Sequence, residues 1–472
     1  MSSEATRKSL VRKSRGSLIR RLSRRMRLLE LNVKQKHREQ ATVDRSDQPF
    51  LSRAISDVEV ANYVSQVDSL DEEQEKRGIK GIRKLLSSTT TPPVERVTRA
   101  GLLPQLVQLL GRDDDQELQF EAAWCLTNCA GGSPSTTQSI VDLGAVELLV
   151  EMLYYSDMRL REQAAWALGN IIGESVELRD IVLRHGALQA LLSSIQPNVD
   201  VPDRVVFTVG NLFRVSPLPS LMSIQKALPV LVALLVSERE AQVIDVAWSI
   251  STLCKSDDTT LRALSDVPAV AENLITCLED HTQLDLVFPV LEAIRILTRD
   301  ALDSRWIMLE DRLLHATAQF IPCPHQDVAS EACQIVYQVA SFHPESISRI
   351  LDTDIVEYLL AKLLPSSRNF GVLTTRLHAL KAFNAMACGT LEQVQELVHR
   401  GCVQVFLYEL KEDADANALE TSLVLDVLAR VYQCGCEIAH TTGRNPFEEV
   451  LFEFDVRHTE VTPSKLGMRR PR

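Results

Sequence analysis

The chain has 472 residues, of which 45% are hydrophobic and 5% aromatic, a composition typical of a helical protein rich in Ala, Leu and Val. Its net charge of −12 hides an asymmetry, because residues 1–40 carry 13 Lys and Arg against three acidic residues, while the remainder carries 38 basic and 60 acidic residues. An acidic body of this kind excludes direct nucleic-acid binding. The longest apolar run, residues 227–236, is too short to span a membrane, so no membrane partner is expected.

Residues 1–57 read as a basic arm followed by a polar linker. The arm has no apolar segment behind its charges, which excludes a secretory signal. Its Arg and Ser content leaves a mitochondrial presequence or a generic basic tail as alternatives. A basic arm on an acidic body can also fold back on that body or engage an acidic partner.

A repeated phrase dominates the stretch from Phe120 to Leu192. EAAWCLTNCAGG returns as EQAAWALGNIIGE, and IVDLGAVELLVEML returns as IVLRHGALQALL, so that Trp124 and Trp166 lie 42 residues apart. A period near ~40 residues is typical of an all-α solenoid of the armadillo or HEAT kind. We predict an array of repeats over residues 58–455, with eight repeats and a capping pair of helices at 415–455, followed by a disordered tail at 456–472. A Gly-Ala or Ala-Leu pair before the last helix of each repeat predicts a tight turn.

The remaining composition argues against catalysis. The ten cysteines are scattered through helical phrases, which indicates reduced thiols in a cytosolic or nuclear protein. Cys434, Cys436 and His440 lack a fourth ligand at standard spacing, so neither a metal nor a cofactor is expected. No phosphate-binding GxxxxGK[ST], HExxH or GxSxG pattern occurs, and we therefore predict no catalytic residue and no enzyme activity.

A ladder of aromatic and amide residues is the candidate functional feature. Trp and Asn four residues apart share one face of a helix. The alternative, that Trp124 and Trp166 are core residues, is less favoured, because Ala and Leu already occupy core spacing and an Asn in a core is costly without a partner. The aromatic position continues as Phe207, Trp248, Glu292, Gln334 and Leu380, and the amide position continues as Asn211, Thr252, Ile296, Gln338 and Asn384. The ladder is therefore strong in repeats two to four and mostly lost in the later repeats.

The chemistry of such a ladder suits a basic peptide. A side-chain amide both donates and accepts hydrogen bonds, so a row of Asn residues can pair with the backbone of an extended chain. Slots between successive Trp rings can hold an aliphatic stem while its cationic head reaches past the ring. The acidic body adds the preference for Lys and Arg.

The phrases AAWCLTN and EQAAWALGN, with GGSPSTTQSIVDLGAV and ESVELRDIVLRHGAL, resemble the second and third armadillo repeats of importin-α. The resemblance covers residues 71–455 and is closest over 119–215. It implies a right-handed superhelical armadillo solenoid of eight to ten repeats that reads nuclear localisation signals and links cargo to importin-β. It also implies shuttling between cytoplasm and nucleus, with a recycling exportin and RanGTP as a further partner.

The family's major cargo site maps onto residues of repeats two to five, with Phe207 in place of a third Trp and Glu174 in place of an Asp. These residues are Trp124, Asn128, Gly132, Thr137, Gln163, Trp166, Asn170, Glu174, Phe207, Asn211, Arg214, Asp245 and Trp248. The minor site maps onto Gln334, Gln338, Leu380 and Asn384, where only the last keeps the family residue. We therefore predict a weak or absent minor site.

The basic arm resembles the importin-β-binding segment of the family. Its matching residues are Arg12, Lys13, Arg15, Arg20, Arg21, Arg24, Arg25, Arg27, Lys34 and Lys36. The resemblance implies that the arm competes with cargo for the groove until importin-β sequesters it. Two other readings stay open: an armadillo scaffold that has left nuclear import and binds another partner, and a diverged adaptor with a narrow cargo set.

Overall fold

The structure is a computed structural model that describes residues 56–87, 92–195, 201–299, 304–342, 344–363, 370–412, 418–442 and 444–447. These residues form helices and connecting turns without a β-strand, which confirms the predicted all-α class. Among them, none of the helices is long and apolar enough to cross a bilayer. The chain divides into two compact units, residues 1–217 (unit 1) and residues 218–472 (unit 2).

Unit 1 contains eleven helices within its described residues. After the first two helices, they run in three sets of three, in which a longer helix follows two shorter ones. The helices are α1 (Asp57–Val67), α2 (Glu72–Leu86), α3 (Val94–Arg99), α4 (Leu102–Leu110), α5 (Gln116–Ala130), α6 (Pro134–Asp142), α7 (Ala145–Met152), α8 (Met158–Ile172), α9 (Val176–Arg184), α10 (Ala187–Ser193) and α11 (Asp203–Leu212).

The starts of these helices repeat with the period of the sequence. The carboxylate of Asp115 accepts the backbone N–H of Glu117 at the start of α5, and Asp157, 42 residues later, accepts that of Arg159 at the start of α8. A carboxylate at this position satisfies N–H groups that have no partner inside the helix and opposes the helix dipole. Local capping therefore fixes where α5 and α8 begin.

The long helices α2, α5, α8 and α11 pack side by side in sequence order. Their contact surface consists of small and branched apolar side chains that are fully buried, which lets neighbouring backbones approach closely. Side chains also reach across the interface, since the hydroxyl of Thr208 donates to the carbonyl of Ala165 at 2.6 Å. The buried apolar residues include Leu118, Ala122, Ala123, Leu126, Leu160, Ala164, Ala165 and Leu168.

Unit 2 continues the pattern with fourteen helices in its described residues. They are α12 (Leu221–Leu234), α13 (Glu240–Cys254), α14 (Asp258–Ser265), α15 (Val270–Asp280), α16 (Leu284–Leu297), α17 (Ser304–Met308), α18 (Glu310–Ala318), α19 (Gln326–Phe342), α20 (Pro344–Leu351), α21 (Ile355–Leu363), α22 (Phe370–Met386), α23 (Leu391–His399), α24 (Cys402–Glu412) and α25 (Ala418–Thr442).

One local expectation was wrong. The Ala227-Leu228 pair lies inside the continuous helix α12 instead of at a turn, because Ala is the strongest helix former and has no preference for a left-handed turn. The capping pair of helices expected at 415–455 is, over its described part, the single helix α25. Residues 448–455 and the tail at 456–472 lie outside the described residues.

One prediction concerns the turn before the last short helix. Gly144 and Gly186 occupy this turn with φ near 84° and 82°, and Ala269 occupies it in unit 2 with φ 64°. A side chain in this left-handed region costs about 1 kcal/mol. We expect Ala269→Gly to raise the free energy of unfolding by about 1 kcal/mol and Gly186→Ala to lower it similarly. Chemical denaturation measures both, and shifts of the same sign would contradict this explanation.

A second prediction concerns pH. Burial lowers the pKa of His378 to about 4, and the positive charges of Lys381 and Arg295 lower it further. The Nδ1 atom of His378 forms a hydrogen bond of 2.8 Å with the hydroxyl of Ser330. The unfolded chain therefore binds this proton first as the pH falls, and stability is lost between about pH 6.5 and pH 4.

We expect His378→Asn to flatten this part of the stability profile by about 1–3 kcal/mol. The measurement is the denaturation midpoint of wild type and variant across pH 4–7.5. Exposed His185→Asn is the control. Equal slopes for wild type and His378→Asn would show that this histidine does not link pH to folding.

Candidate functional site

Three successive long helices of unit 1 carry an aromatic residue and an asparagine four positions later. In each helix the asparagine falls in the last turn, since α5, α8 and α11 end at Ala130, Ile172 and Leu212. The pairs are Trp124 with Asn128, Trp166 with Asn170, and Phe207 with Asn211. The structure thus brings the core of the predicted major site together within one unit.

Each asparagine is held by the helix before it. The side-chain N–H of Asn170 donates to the carbonyl of Thr127 at 3.0 Å, and that of Asn211 donates to the carbonyl of Gly169 at 3.0 Å. Asn128 makes a longer contact of 3.4 Å with the hydroxyl of Ser87. Asn170 is half-exposed, and its carbonyl oxygen has no hydrogen-bond partner among the described residues, so it can accept an N–H from a ligand.

The position of the amides in the last turn has an electrostatic consequence. The carbonyl end of a helix carries a partial negative charge, and three such ends, those of α5, α8 and α11, follow one another here. Glu174 stands half-exposed just beyond the end of α8. The row of amides therefore lies where a positively charged ligand is favoured.

Trp124 has an arginine on its ring. The guanidinium carbon of Arg83, on α2, lies 4.6 Å from the ring centroid, and Phe120 meets the same ring edge-on at 5.6 Å. Arg83 forms a buried ion pair with Glu121 at 2.7 Å. Burial raises the pKa of Glu121, which the charge of Arg83 opposes. The pair is thus part of the packing between α2 and α5.

The ring of Trp166 is covered more completely. Its side chain is 4% exposed, and the guanidinium carbon of Arg204, on α11, lies 3.7 Å from the ring centroid. The sequence predicted an open slot beside this ring. In the structure this slot is occupied, because a cation of the chain itself stacks on the aromatic face.

Two of the predicted cargo contacts are buried and support the row from behind. The hydroxyl of Thr137 donates to the carbonyl of Ala130 at 3.1 Å, and the amide of Gln163 donates to the hydroxyl of Thr127 at 2.7 Å. Both side chains are at least 95% buried. Thr137 thus ties α6 to the end of α5, and Gln163 ties α8 to the last part of α5, which positions the exposed part of the row.

Other predicted residues lie at the row itself. Gly132 follows α5, where a Cβ would come within 2.8 Å of Val94, so only glycine fits without displacement. Arg214 donates to the side-chain oxygen of Asn211 at 3.3 Å. This contact occupies an acceptor that the sequence analysis assigned to a peptide.

The remaining residues of the predicted major site, Asp245 and Trp248, belong to α13 in unit 2. Asp245 is 5% exposed, and the indole N–H of Trp248 donates to the carbonyl of Asp285 on α16 at 2.9 Å. The Trp248 ring also lies 6.0 Å from that of Phe288. Trp248 is therefore fixed by the next long helix.

The later long helices of unit 2 carry ion pairs near the aromatic and amide positions. Glu292, at the aromatic position of α16, accepts from Lys255 at 2.8 Å and from Ser251. Arg295 pairs with Glu331 on α19, and burial raises the pKa of that carboxyl while Arg295 opposes the shift. These charges satisfy one another across neighbouring helices.

The residues assigned to the minor site are mostly engaged in packing. Gln338 is 5% exposed and lies 3.0 Å from the hydroxyl of Thr298, and Leu380 is 2% exposed. Gln334 and Asn384 are half-exposed. The aromatic surface that a ladder needs is absent at these four positions.

The sequence analysis missed the arginines on the tryptophan rings. Arg204 precedes Phe207 by three residues, a spacing that places both on one side of α11. That spacing could have indicated a cation beside the ladder. It could not show that the guanidinium covers Trp166, because the contact depends on how α11 is set against α8. The basic arm, with every residue assigned to importin-β, lies outside the described residues.

The sequence and the fold are similar to those of known proteins. The model of the armadillo/β-catenin-like repeat family matches residues 90–131 and 133–173. Importin subunit alpha-1a of Oryza sativa subsp. japonica is 30% identical over 280 residues, 58% of this chain and 52% of its own length. Importin subunit alpha-4 of Arabidopsis thaliana is 29% identical over 396 residues, 83% and 72% respectively. Importin subunit alpha-B of Dictyostelium discoideum is 37% identical over 247 residues, 51% and 48%.

The sequence pattern predicted that each repeat ends with the helix after the Gly-Ala turn, but the matched repeats end one helix later, with the tryptophan-bearing helices α5 and α8. The repeat length is unaffected.

A crystal structure of an engineered protein shares the fold, with a TM-score of 0.64 and 22% identity over 87% of this chain and 97% of its own. The chain spans about half the length of the rice and Dictyostelium relatives. The chain therefore contains armadillo repeats over residues 90–173 and is similar in sequence to importin-α subunits.

Proposed function

We propose that the chain is a nuclear import adaptor whose major cargo site is the row formed by α5, α8 and α11. In this proposal the row binds an extended peptide rich in Lys and Arg, of the kind that serves as a nuclear localisation signal. The observation that carries it is the regular set of aromatic–amide pairs in unit 1, in which Asn170 and Asn211 are each tied to the preceding long helix at 3.0 Å.

The tethered amides support an extended ligand. Because one N–H of the Asn170 amide is held by a backbone carbonyl, its side-chain oxygen keeps a fixed direction and is bound without further loss of side-chain entropy, whereas Arg214 must release the oxygen of Asn211 before a ligand can use it. The spacing between such groups is that of neighbouring packed helices, ~10 Å. An extended peptide rises ~3.3 Å per residue, so it would meet a new amide about every third residue.

The charge of the ligand follows from the helix ends. Three carbonyl termini and the half-exposed carboxylate of Glu174 favour cations at the row. We propose that the basic arm, residues 12–36, binds importin-β and otherwise competes with cargo for the same row. In this proposal the protein shuttles between cytoplasm and nucleus, with the exportin and RanGTP as recycling partners.

A second candidate function is an armadillo scaffold for a partner outside nuclear import. Two observations favour it: the intramolecular ion pairs Lys255–Glu292 and Arg295–Glu331 replace a ladder in unit 2, and Arg204 covers Trp166. A scaffold of this kind would not prefer basic peptides. Peptide binding separates the two candidates directly.

Binding of a fluorescent lysine-rich nuclear localisation peptide tests the main proposal. We expect the full chain to bind with a Kd at or below about 10 μM, and Trp166→Ala with Asn170→Ala to weaken binding by about 30-fold or more, since a stacking face and a fixed amide are lost together. Fluorescence anisotropy measures both.

The matched control for this experiment is Gln334→Ala with Gln338→Ala, the same two positions on α19, which we expect to leave the affinity within about twofold. Equal affinity of the Trp166/Asn170 double variant and wild type would remove the row from the cargo site. Absence of binding in all three proteins would favour the scaffold.

Deletion of residues 1–48 tests the competing arm. A tether of this length gives an effective concentration of ~1 mM, so even a weak arm occupies the row for much of the time. We expect deletion to tighten peptide binding by about fivefold to fiftyfold. Unchanged affinity, with importin-β binding lost, would separate the arm's role in importin-β recognition from any competition.

A further inference from the structure

The guanidinium of Arg204 occupies the place where a cationic side chain of a peptide would stack. Its carbon lies 3.7 Å from the centroid of the Trp166 ring, closer than Arg83 lies to Trp124 at 4.6 Å. The indole is left 4% exposed. A lysine or arginine of a ligand can reach this ring face only if Arg204 leaves it.

Arg204 is held less firmly than the other arginines packed in unit 1. Arg83 is anchored by a 2.7 Å ion pair with Glu121, and Arg179 donates to the carbonyls of Val215 and Pro217 as well as to Asp180. Within the described part of the chain, the guanidinium of Arg204 has the ring contact and makes no ion pair or hydrogen bond. A single stacking contact is weaker than a set of charge-assisted hydrogen bonds.

The charges around Arg204 are consistent with a displaceable cation. Burial lowers its pKa, while Glu162 and Asp203 raise it, and a guanidinium stays protonated throughout the physiological range. The field of these two carboxylates would hold a ligand's cation in the same place. The slot is therefore built for one positive charge, and the chain supplies it.

We propose that Arg204 is a built-in occupant of the Trp166 slot, which a basic peptide must displace, so that this residue sets the affinity threshold for cargo. This inference rests on the proposed peptide-binding function. Removal of the charge should strengthen peptide binding, because the ligand no longer competes with Arg204 or meets its repulsion. A lysine at this position should retain most of the competition.

The test compares peptide affinities of full-length variants by fluorescence anisotropy at low and high salt. Every protein also carries Arg12→Ala, Lys13→Ala and Arg15→Ala, so that the arm does not gain from the same change. The set comprises Arg204, Arg204→Gln, Arg204→Lys, and the control Arg184→Ala, which removes one exposed charge from α9, outside the row of long helices.

We expect Arg204→Gln to bind about tenfold more tightly at low salt, with a smaller gain at high salt because salt screens the repulsion. Arg204→Lys and Arg184→Ala should stay within about threefold of the parent. Thermal midpoints confirm that each variant is folded.

The outcomes distinguish a failure of the displacement model from a failure of the proposed cargo site. If the parent binds peptide through Trp166 and Asn170 but Arg204→Gln gains nothing or loses affinity, Arg204 supports the ring and the displacement model is wrong. A gain as large in Arg204→Lys or Arg184→Ala would also overturn it. If neither the parent nor Arg204→Gln binds peptide, the displacement model fails together with the cargo site.

Discussion

One hydrogen bond, repeated at the interval of a repeat, is the interaction on which the site depends. The amide of Asn170 donates to a carbonyl 43 residues earlier, and that of Asn211 donates to a carbonyl 42 residues earlier. An amide in a packed helical row would be costly without a partner. The bond satisfies that need at both residues, and at the half-exposed Asn170 it leaves the side-chain oxygen available to a ligand. Packing and ligand recognition therefore share the same atoms.

Two opposing electrostatic effects meet at this row. The carbonyl ends of three long helices and the nearby carboxylates favour a cation, whereas Arg83 and Arg204 already place cations on the two tryptophan rings. Arg83 is neutralised by Glu121 at 2.7 Å. Arg204 has no such direct partner among the described residues. The balance at Trp166 therefore differs from that at Trp124, although the two tryptophans occupy equivalent positions in their repeats.

Much of the architecture could be predicted from the sequence, because it depends on local signals that repeat. Caps at Asp115 and Asp157 and turns at Gly144 and Gly186 recur after 42 residues, as do the tryptophans. The phase of the repeat was harder to assign, since a periodic pattern does not show which helix ends a unit. Family comparison shows that the tryptophan-bearing helices come last.

The spacing of residues in the sequence could not predict which side chains meet between helices. The stacking of Arg204 on Trp166 and the pairing of Lys255 with Glu292 join residues on different helices. Which side chains meet there depends on the axial offset of one helix against the next, and a shift of one turn, about 5.4 Å, would exchange the partners. The continuity of α12 through Ala227 likewise reflects the absence of a glycine, a weak signal when Ala269 makes the same turn in the next repeat.

The most direct measurement is a spectrum of the asparagine side-chain amides, labelled with ¹⁵N and titrated with a lysine-rich peptide. We expect the signals of Asn128, Asn170 and Asn211 to shift together and to saturate at one equivalent of peptide. The signal of Asn273, whose amide is bound to the carbonyl of Val232 on another row at 2.9 Å, should stay in place. Shifts confined to asparagines outside α5, α8 and α11 would show that the peptide does not bind at this row, as would an unchanged spectrum at saturating peptide.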